Sequence, residues 1–176
     1  MIVSDFAVFL ASDSHPLFMQ AKYYYEGLIG NYCLAERDGE LVRLWLGDRF
    51  DLSPSDVELR ETPLLREAHR QLGAYFDRQL RVFDLPLRAE GTVFQERVWS
   101  SLREIPYGET ITYGELARRT GNENACRAVG MANGRNPLPI FIPCHRVVGA
   151  GGRLTGYTGG LDVKVKLLMV EQICLY

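Results

Sequence analysis

The stretch TVFQERVWSSLREIPYGETITYGELARRTGNENACRAVGMA, Thr92 to Ala132, carries the punctuation that decides the fold. Thr92 and Gln95 have the spacing of a capping box, which satisfies free backbone donors at a helix start. A helix is predicted from there to about Ile105, with Phe94, Val98, Trp99 and Leu102 on one apolar face. Pro106, Tyr107 and Gly108 end it. Thr112 and Glu115 repeat the capping pattern and open a short helix to Arg119. Gly121-Asn122 reads as a turn, and a third helix fits Glu123 to about Ala132. Two short helices around a glycine-containing turn match a helix-turn-helix, although any small helical hairpin shares that signal.

Upstream, Thr62 followed by Pro63 reads as an N-cap and first helical position. Leu64, Leu65, Ala68, Leu72, Tyr75 and Phe76 then recur at helical spacing to about Leu80. Ile29–Glu36 and Leu41–Leu46 flank an Asp-Gly turn and predict a β-hairpin. Residues 84–91, with Pro86 and Gly91, read as a linker. The expected class is therefore α+β: a small N-terminal α/β domain with an antiparallel sheet over residues 1–85, then a mainly helical domain with a helix-turn-helix over 90–176. Downstream, Leu161 to about Ile173 reads as an amphipathic helix with Val165, Leu168, Met169 and Gln172 near one face.

The chain has 176 residues and is 47% apolar, enough for one ordinary domain or two small ones. No apolar run reaches the ~20 residues of a membrane span. The short greasy piece Phe6–Ala11 follows Asp5, and the first lysine or arginine is Lys22, so no signal peptide is read. Four cysteines without a CxxC pair suit a reducing cytoplasm. The net charge of −2 hides an asymmetry. Residues 1–90 hold ten basic and fifteen acidic side chains, whereas residues 91–160 hold eight arginines against five acids. A local basic face can bind phosphates whatever the total charge.

That basic segment contains Ile140 to Gly152, IFIPCHRVVGAGG, in which Cys144 and His145 adjoin. A free cysteine is usually a small buried hydrophobe. That reading suits Cys33 in a strand and Cys174 near the end of the last expected helix. It suits Cys144 less, because Pro143 and Gly149, Gly151 and Gly152 interrupt regular structure around it. A nucleophilic cysteine needs a base, and the base needs an orienting partner. His15, His69 and His145 are the histidines available, and the first two read as structural or exposed. Glu171 is one of several acids able to serve. The residues alone give a Cys-His nucleophile in a basic, helix-turn-helix-like segment.

Taken together, the motifs resemble the O6-alkylguanine-DNA alkyltransferases. Pro143-Cys144-His145-Arg146-Val147 carries the likeness, with Asn136-Pro137 before it and Gly156-Tyr157-Thr158-Gly159-Gly160-Leu161 after it. Ile105 to Gly108, Tyr113, Arg127 to Gly130 and Asn133-Gly134 fall in the same order. The likeness runs from about Phe94 to Glu171. It implies DNA repair by direct reversal: an alkyl group moves from O6 of guanine in duplex DNA, or alternatively O4 of thymine, irreversibly onto Cys144, once per molecule.

The resemblance also implies roles. Cys144 is the nucleophile, His145 the base acting through a water, Glu171 its orienting acid, and Asn136 the brace of the active-site turn. Tyr113 donates its hydroxyl toward the purine. Backbone around Val147, Tyr157 and Thr158 reads the guanine edge in a pocket for a flipped base. Arg127 fills the gap left in the stack, and Ala125 and Ala128 let its helix approach the minor groove. Gln95 and Asn122 contact phosphates. No cofactor is implied. Some members hold zinc in the N-terminal half, but Cys33, His15 and His69 are too few, so no metal is expected. The expected partner is duplex DNA carrying O6-alkylguanine, without a membrane, bound by a monomer. Cys126 and Thr158 depart from the smaller residues usual at their positions.

Other classes make different demands. A binding-only relative lacks the cysteine of the Pro-Cys-His motif, which is present here. A helix-turn-helix regulator needs a recognition helix rich in base-reading side chains, and this one is rich in alanine and glycine. A cysteine hydrolase would turn over repeatedly.

Overall fold

The computed structural model describes residues 21–47 and 57–173. The readings made for Phe6–Ala11, His15 and Cys174 fall outside those residues. The N-terminal half is built on a four-stranded sheet, β1 (Ala21–Gly27), β2 (Gly30–Arg37), β3 (Glu40–Leu46) and β4 (Glu58–Leu59), in the order β3-β2-β1-β4. The first three strands are antiparallel and β4 runs parallel to β1. The β2–β3 hairpin lies where the Asp-Gly signal put it. Asp38 and Gly39 both take positive φ, 53° and 77°, as a two-residue turn compatible with strand twist requires. Strand β1, with three consecutive tyrosines, was not read from the sequence.

Helix α1 (Pro63–Phe76) packs on this sheet through Leu65, Ala68, Leu72 and Tyr75. The Thr62 side chain caps it by accepting from the Leu65 amide. It stops four residues before the expected Leu80, because Arg78 enters the left-handed region at φ 62° and turns the chain. The segment read as a linker is tied to the sheet: Leu41 N–H donates to Pro86 O (2.8 Å) and Arg88 N–H to Leu41 O (2.9 Å).

The C-terminal half contains α2 (Val93–Arg103), β5 (Ile111–Thr112), α3 (Tyr113–Arg119), α4 (Cys126–Gly134), β6 (Val147–Val148) and α5 (Leu161–Val170). Both sides of the Thr92–Gln95 capping box are made. Thr112 caps α3 from the end of β5, accepting from the Glu115 amide. The Glu115 carboxylate instead pairs with Arg118 and Arg119. Helix α4 starts three residues later than expected. Asn122 Oδ1 accepts from the Asn124 amide, and that local turn holds 122–125 out of helical geometry.

The expected face of α5 is corrected by the structure. Val163, Lys164, Leu167, Leu168 and Val170 are buried, while Met169 is exposed. The helix ends at Val170, and Gln172 at φ 61° reverses the chain. One hydrophobic cluster joins residues from both halves, including Leu34, Leu72 and Tyr75 with Val98, Leu116, Ile142 and Leu167. Leu44 N–H donating to Pro137 O (2.9 Å) adds a backbone link between β3 and the turn before Cys144. Among the described residues no helix is long and apolar enough to cross a membrane.

Candidate active site

Asn136 organises the approach to Cys144. Its Oδ1 accepts from the Leu138 amide (3.0 Å) and its Nδ2 donates to Ile142 O (2.8 Å). The loop so closed holds Ile140 at φ 75°, a region a β-branched residue rarely enters. The paired ends of the loop hold that conformation in place. Cys144, His145 and Arg146 then form one turn of 3-10 helix, not an extended strand. Valine pairing of β5 with β6, Ile111 to Val147 and Thr112 to Val148, sets the start of α3 beside this turn.

The Cys144 thiol is buried. Burial pushes its pKa up, against the opposing influence of Asn136, Tyr157 and Lys164, so the resting group is a thiol that needs a base. His145 is fully buried and its pKa is lowered, mainly by desolvation, which keeps the imidazole neutral. Its Nε2 lies 2.8 Å from Glu171 Oε1. Burial alone would raise the Glu171 pKa, but hydrogen bonds from His145 and Arg146 overcome it and hold the carboxyl at about 2. An ionised carboxylate accepts only, so the proton of the neutral ring is assigned to Nε2 and the lone pair to Nδ1. Nδ1 is buried and has no hydrogen-bond partner among the described residues.

Glu171 is a hub. Arg146 donates to it through Nε (3.0 Å to Oε2) and its terminal nitrogen (2.8 Å to Oε1), and the Gly108 amide donates to Oε2 (3.1 Å). Tyr75 on α1 donates its hydroxyl to Oε1 (2.7 Å). Lys164 is fully buried on α5, donating to Val147 O (2.7 Å) and Thr155 O (3.3 Å). Desolvation lowers its pKa, against the pull of the nearby Cys144.

The other expected residues surround this centre. Tyr113 opens α3; its ring would lie 3.7 Å from a Cβ at Gly130, and its hydroxyl accepts from Thr155 Oγ1 at 3.4 Å. Val147 is buried, with its N–H donated to Cys144 O and its carbonyl accepting from Lys164. The Tyr157 hydroxyl is buried, makes no hydrogen bond of standard geometry among the described residues, and has its pKa raised by burial and then by Cys144. Thr158 donates its hydroxyl to Gly134 O (2.8 Å), tying its loop to the end of α4.

Arg127 and Ala128 lie exposed in the first turn of α4, and Ala125 is its half-buried N-cap. Arg127 makes no ion pair among the described residues. Asn122 and Gln95 each use the side-chain oxygen on a local amide. Cys126 is exposed beside Arg127. His69 is structural, with Nδ1 2.6 Å from the Tyr32 hydroxyl and its ring stacked on Tyr25.

Sequence reasoning missed Tyr75, Arg146 and Lys164. Lys164 had a signal: a lysine amid the apolar residues of a short helix. Tyr75 had none, since a tyrosine at an apolar helical position reads as core.

Residues 93–173 match the family model described as 6-O-methylguanine DNA methyltransferase, DNA binding domain. The chain is 48% identical over 155 residues to the methylated-DNA–protein-cysteine methyltransferase of Methanosarcina acetivorans, spanning 86% of this chain and 99% of that protein. It is 43% identical over 150 residues to the constitutive methylated-DNA–protein-cysteine methyltransferase of Bacillus subtilis, across 82% of this chain and 91% of that one. The crystal structure of Mycobacterium tuberculosis OGT in complex with DNA superposes with a TM-score of 0.80 at 43% identity, covering 86% of this chain and 92% of that chain. Extended identity on the same fold, across nearly the whole of these relatives, places this chain in the methylated-DNA–protein-cysteine methyltransferase family.

Proposed function

We propose that this protein repairs DNA by accepting an alkyl group from O6 of guanine onto Cys144, once per molecule. The observation that carries this reading is the Cys144–His145–Glu171 arrangement: a buried thiol next to a neutral histidine whose Nε2 is fixed on an ionised carboxylate 2.8 Å away. A base so oriented presents Nδ1 as its acceptor, and a water bridging Nδ1 and the sulfur would carry the thiol proton to the ring. The thiolate then attacks the alkyl carbon. A sulfur–carbon bond forms as the O6–carbon bond breaks, and the electron pair leaves with the guanine. Tyr113, beside the site, supplies a hydroxyl to stabilise that anion. Lys164 and the Tyr157 hydroxyl favour the thiolate. A thioether has no good leaving group, so nothing restores the cysteine.

Binding follows the same logic. We read α3 and α4 as a helix-turn-helix whose second helix enters the minor groove. The small residues Ala125, Ala128 and Gly130 permit close approach, and Arg127 is placed to fill the stack when a base leaves it. The NH2 groups of Gln95 and Asn122 remain available for phosphates. Val147 O keeps a second lone pair for the base edge. Residues 1–85 form the supporting part and 90–176 the DNA-binding and alkyl-accepting part, acting as a monomer.

The test is a duplex carrying O6-methylguanine labelled in the methyl group. The expected outcome is label on Cys144, at most one per chain, and none on Cys144→Ser. Label released as a small molecule, or turnover beyond one equivalent, defeats the reading.

A further inference from the structure

Tyr75 belongs to the N-terminal half, on a helix that packs against the sheet, yet its hydroxyl ends inside the proton-transfer machinery. It lies 2.7 Å from Glu171 Oε1 and 3.4 Å from His145 Nε2. The side chain is fully buried. Its ring meets Phe76 and Tyr107 edge-on and Phe83 at a tilt, at centroid distances of 5.7, 6.0 and 5.3 Å. A core position could have been filled by phenylalanine at no cost in packing. A buried hydroxyl must instead be compensated by a hydrogen bond, and here its acceptor is the carboxylate that orients His145.

We propose that Tyr75 is a positioning residue for alkyl transfer, through which the N-terminal half completes the relay by fixing Glu171 and setting how strongly that carboxylate stabilises a protonated His145. This rests on the alkyl-acceptor reading of Cys144. Glu171 Oε1 takes donors from Tyr75, His145 and Arg146. The more of its charge the first and last consume, the less remains to favour an imidazolium. The groups facing the pair are Arg146 on the 3-10 turn, Lys164 on α5, Tyr75 on α1 and the Gly108 amide on the loop after α2, with Tyr107 and Tyr157 acting on Tyr75 in turn. Tyr75 is the neutral donor among them that can be removed without leaving a charge unpaired.

Three forms of the full chain decide it: wild type, Tyr75→Phe, and the chain with 3-fluorotyrosine at position 75. Single-turnover methyl transfer from the labelled duplex is followed as a function of pH, alongside thermal melting. For Tyr75→Phe the plateau rate is expected to fall about tenfold, the scale of one hydrogen bond to a charged group. The acid limb should move to higher pH by about half a unit, because a less satisfied carboxylate raises the His145 pKa. The fluorinated phenol is a stronger donor and should move that limb to lower pH.

Tyr75→Phe with wild-type rate and limb overturns the inference, as does a lowered melting temperature with both kinetic quantities unchanged well below it. If Tyr75→Phe does not fold, the fluorotyrosine form decides: a downward shift of the limb supports the inference, and an unmoved limb overturns it. Absence of label on the wild-type chain would instead sink the alkyl-acceptor reading, so the two failures are distinct.

Discussion

Cys144 shows why a residue's neighbours, not its type, decide its chemistry. Cys33 is buried too, and burial pushes its thiol up to about 11; the groups lowering it are Lys22 and a backbone amide, with no base among them. Cys144 is buried with Asn136, Tyr157 and Lys164 acting on it and a histidine adjoining it in the turn. The histidine–carboxylate pair also makes stability depend on pH. The folded Glu171 pKa is depressed to about 2, so its contribution is complete above the unfolded value near 4.5 and is lost as pH falls toward 2. His145 is likewise depressed from 6.5, so its contribution is present above that value and begins to be lost on acidification below it. Urea unfolding between pH 7 and 3 should show stability falling continuously with acid. Glu171→Gln should cost about 3–5 kcal/mol at pH 7, because Arg146 is left buried without its counter-charge. In that variant the part of the pH dependence below 4.5 should flatten. A Glu171→Gln chain as stable as wild type would show that the pair is not coupled as drawn.

At the scale of elements, the helix starts were legible because capping is local chemistry. Thr62, Thr92 and Thr112 each bond to an amide three residues on, and all three were visible as sequence patterns. The start of α4 was misplaced because the Asn122 side chain competes for the backbone, which spacing alone does not reveal. Helix α4 has no side-chain cap at its N-terminus and places Arg127 in its exposed first turn. On the base-flipping reading, Arg127 compensates for unstacking, a cost of a few kcal/mol that a free base never incurs. Arg127→Ala should therefore slow transfer from duplex O6-methylguanine by about tenfold or more, with little change against free O6-benzylguanine. Equal losses on both substrates would remove the helix from that role.

Across the whole molecule, the two halves share one core. Leu72 of α1 belongs to the same buried cluster as Leu102, Leu116 and Leu167, and β3 bonds to the turn that leads to Cys144. Leu72→Ala should destabilise by about 2–5 kcal/mol, the usual range for a deep leucine deletion. Trp45 lies in the sheet and Trp99 on α2, so fluorescence of single-tryptophan variants can follow each half. Both should report the same, lowered midpoint. Separate midpoints would mean that the halves melt independently.

The sequence by itself determined what is local and what is carried by contiguous motif: the hairpin at Asp38-Gly39, the capped helices, the Pro-Cys-His turn and the family it resembles. Caps, turns and periodicity act over a few residues, so a linear reading finds them. Only the tertiary structure decided which charges meet. The resemblance named Glu171 for His145, but the structure brought Arg146 and, across 96 positions, Tyr75 onto that carboxylate. It also buried Lys164 against the active-site turn and turned α5 to a face its spacing did not predict. Those outcomes depend on desolvation: a lysine or carboxylate is buried where distant chain segments bring enough partners to compensate its charge, and no neighbouring residue encodes that sum.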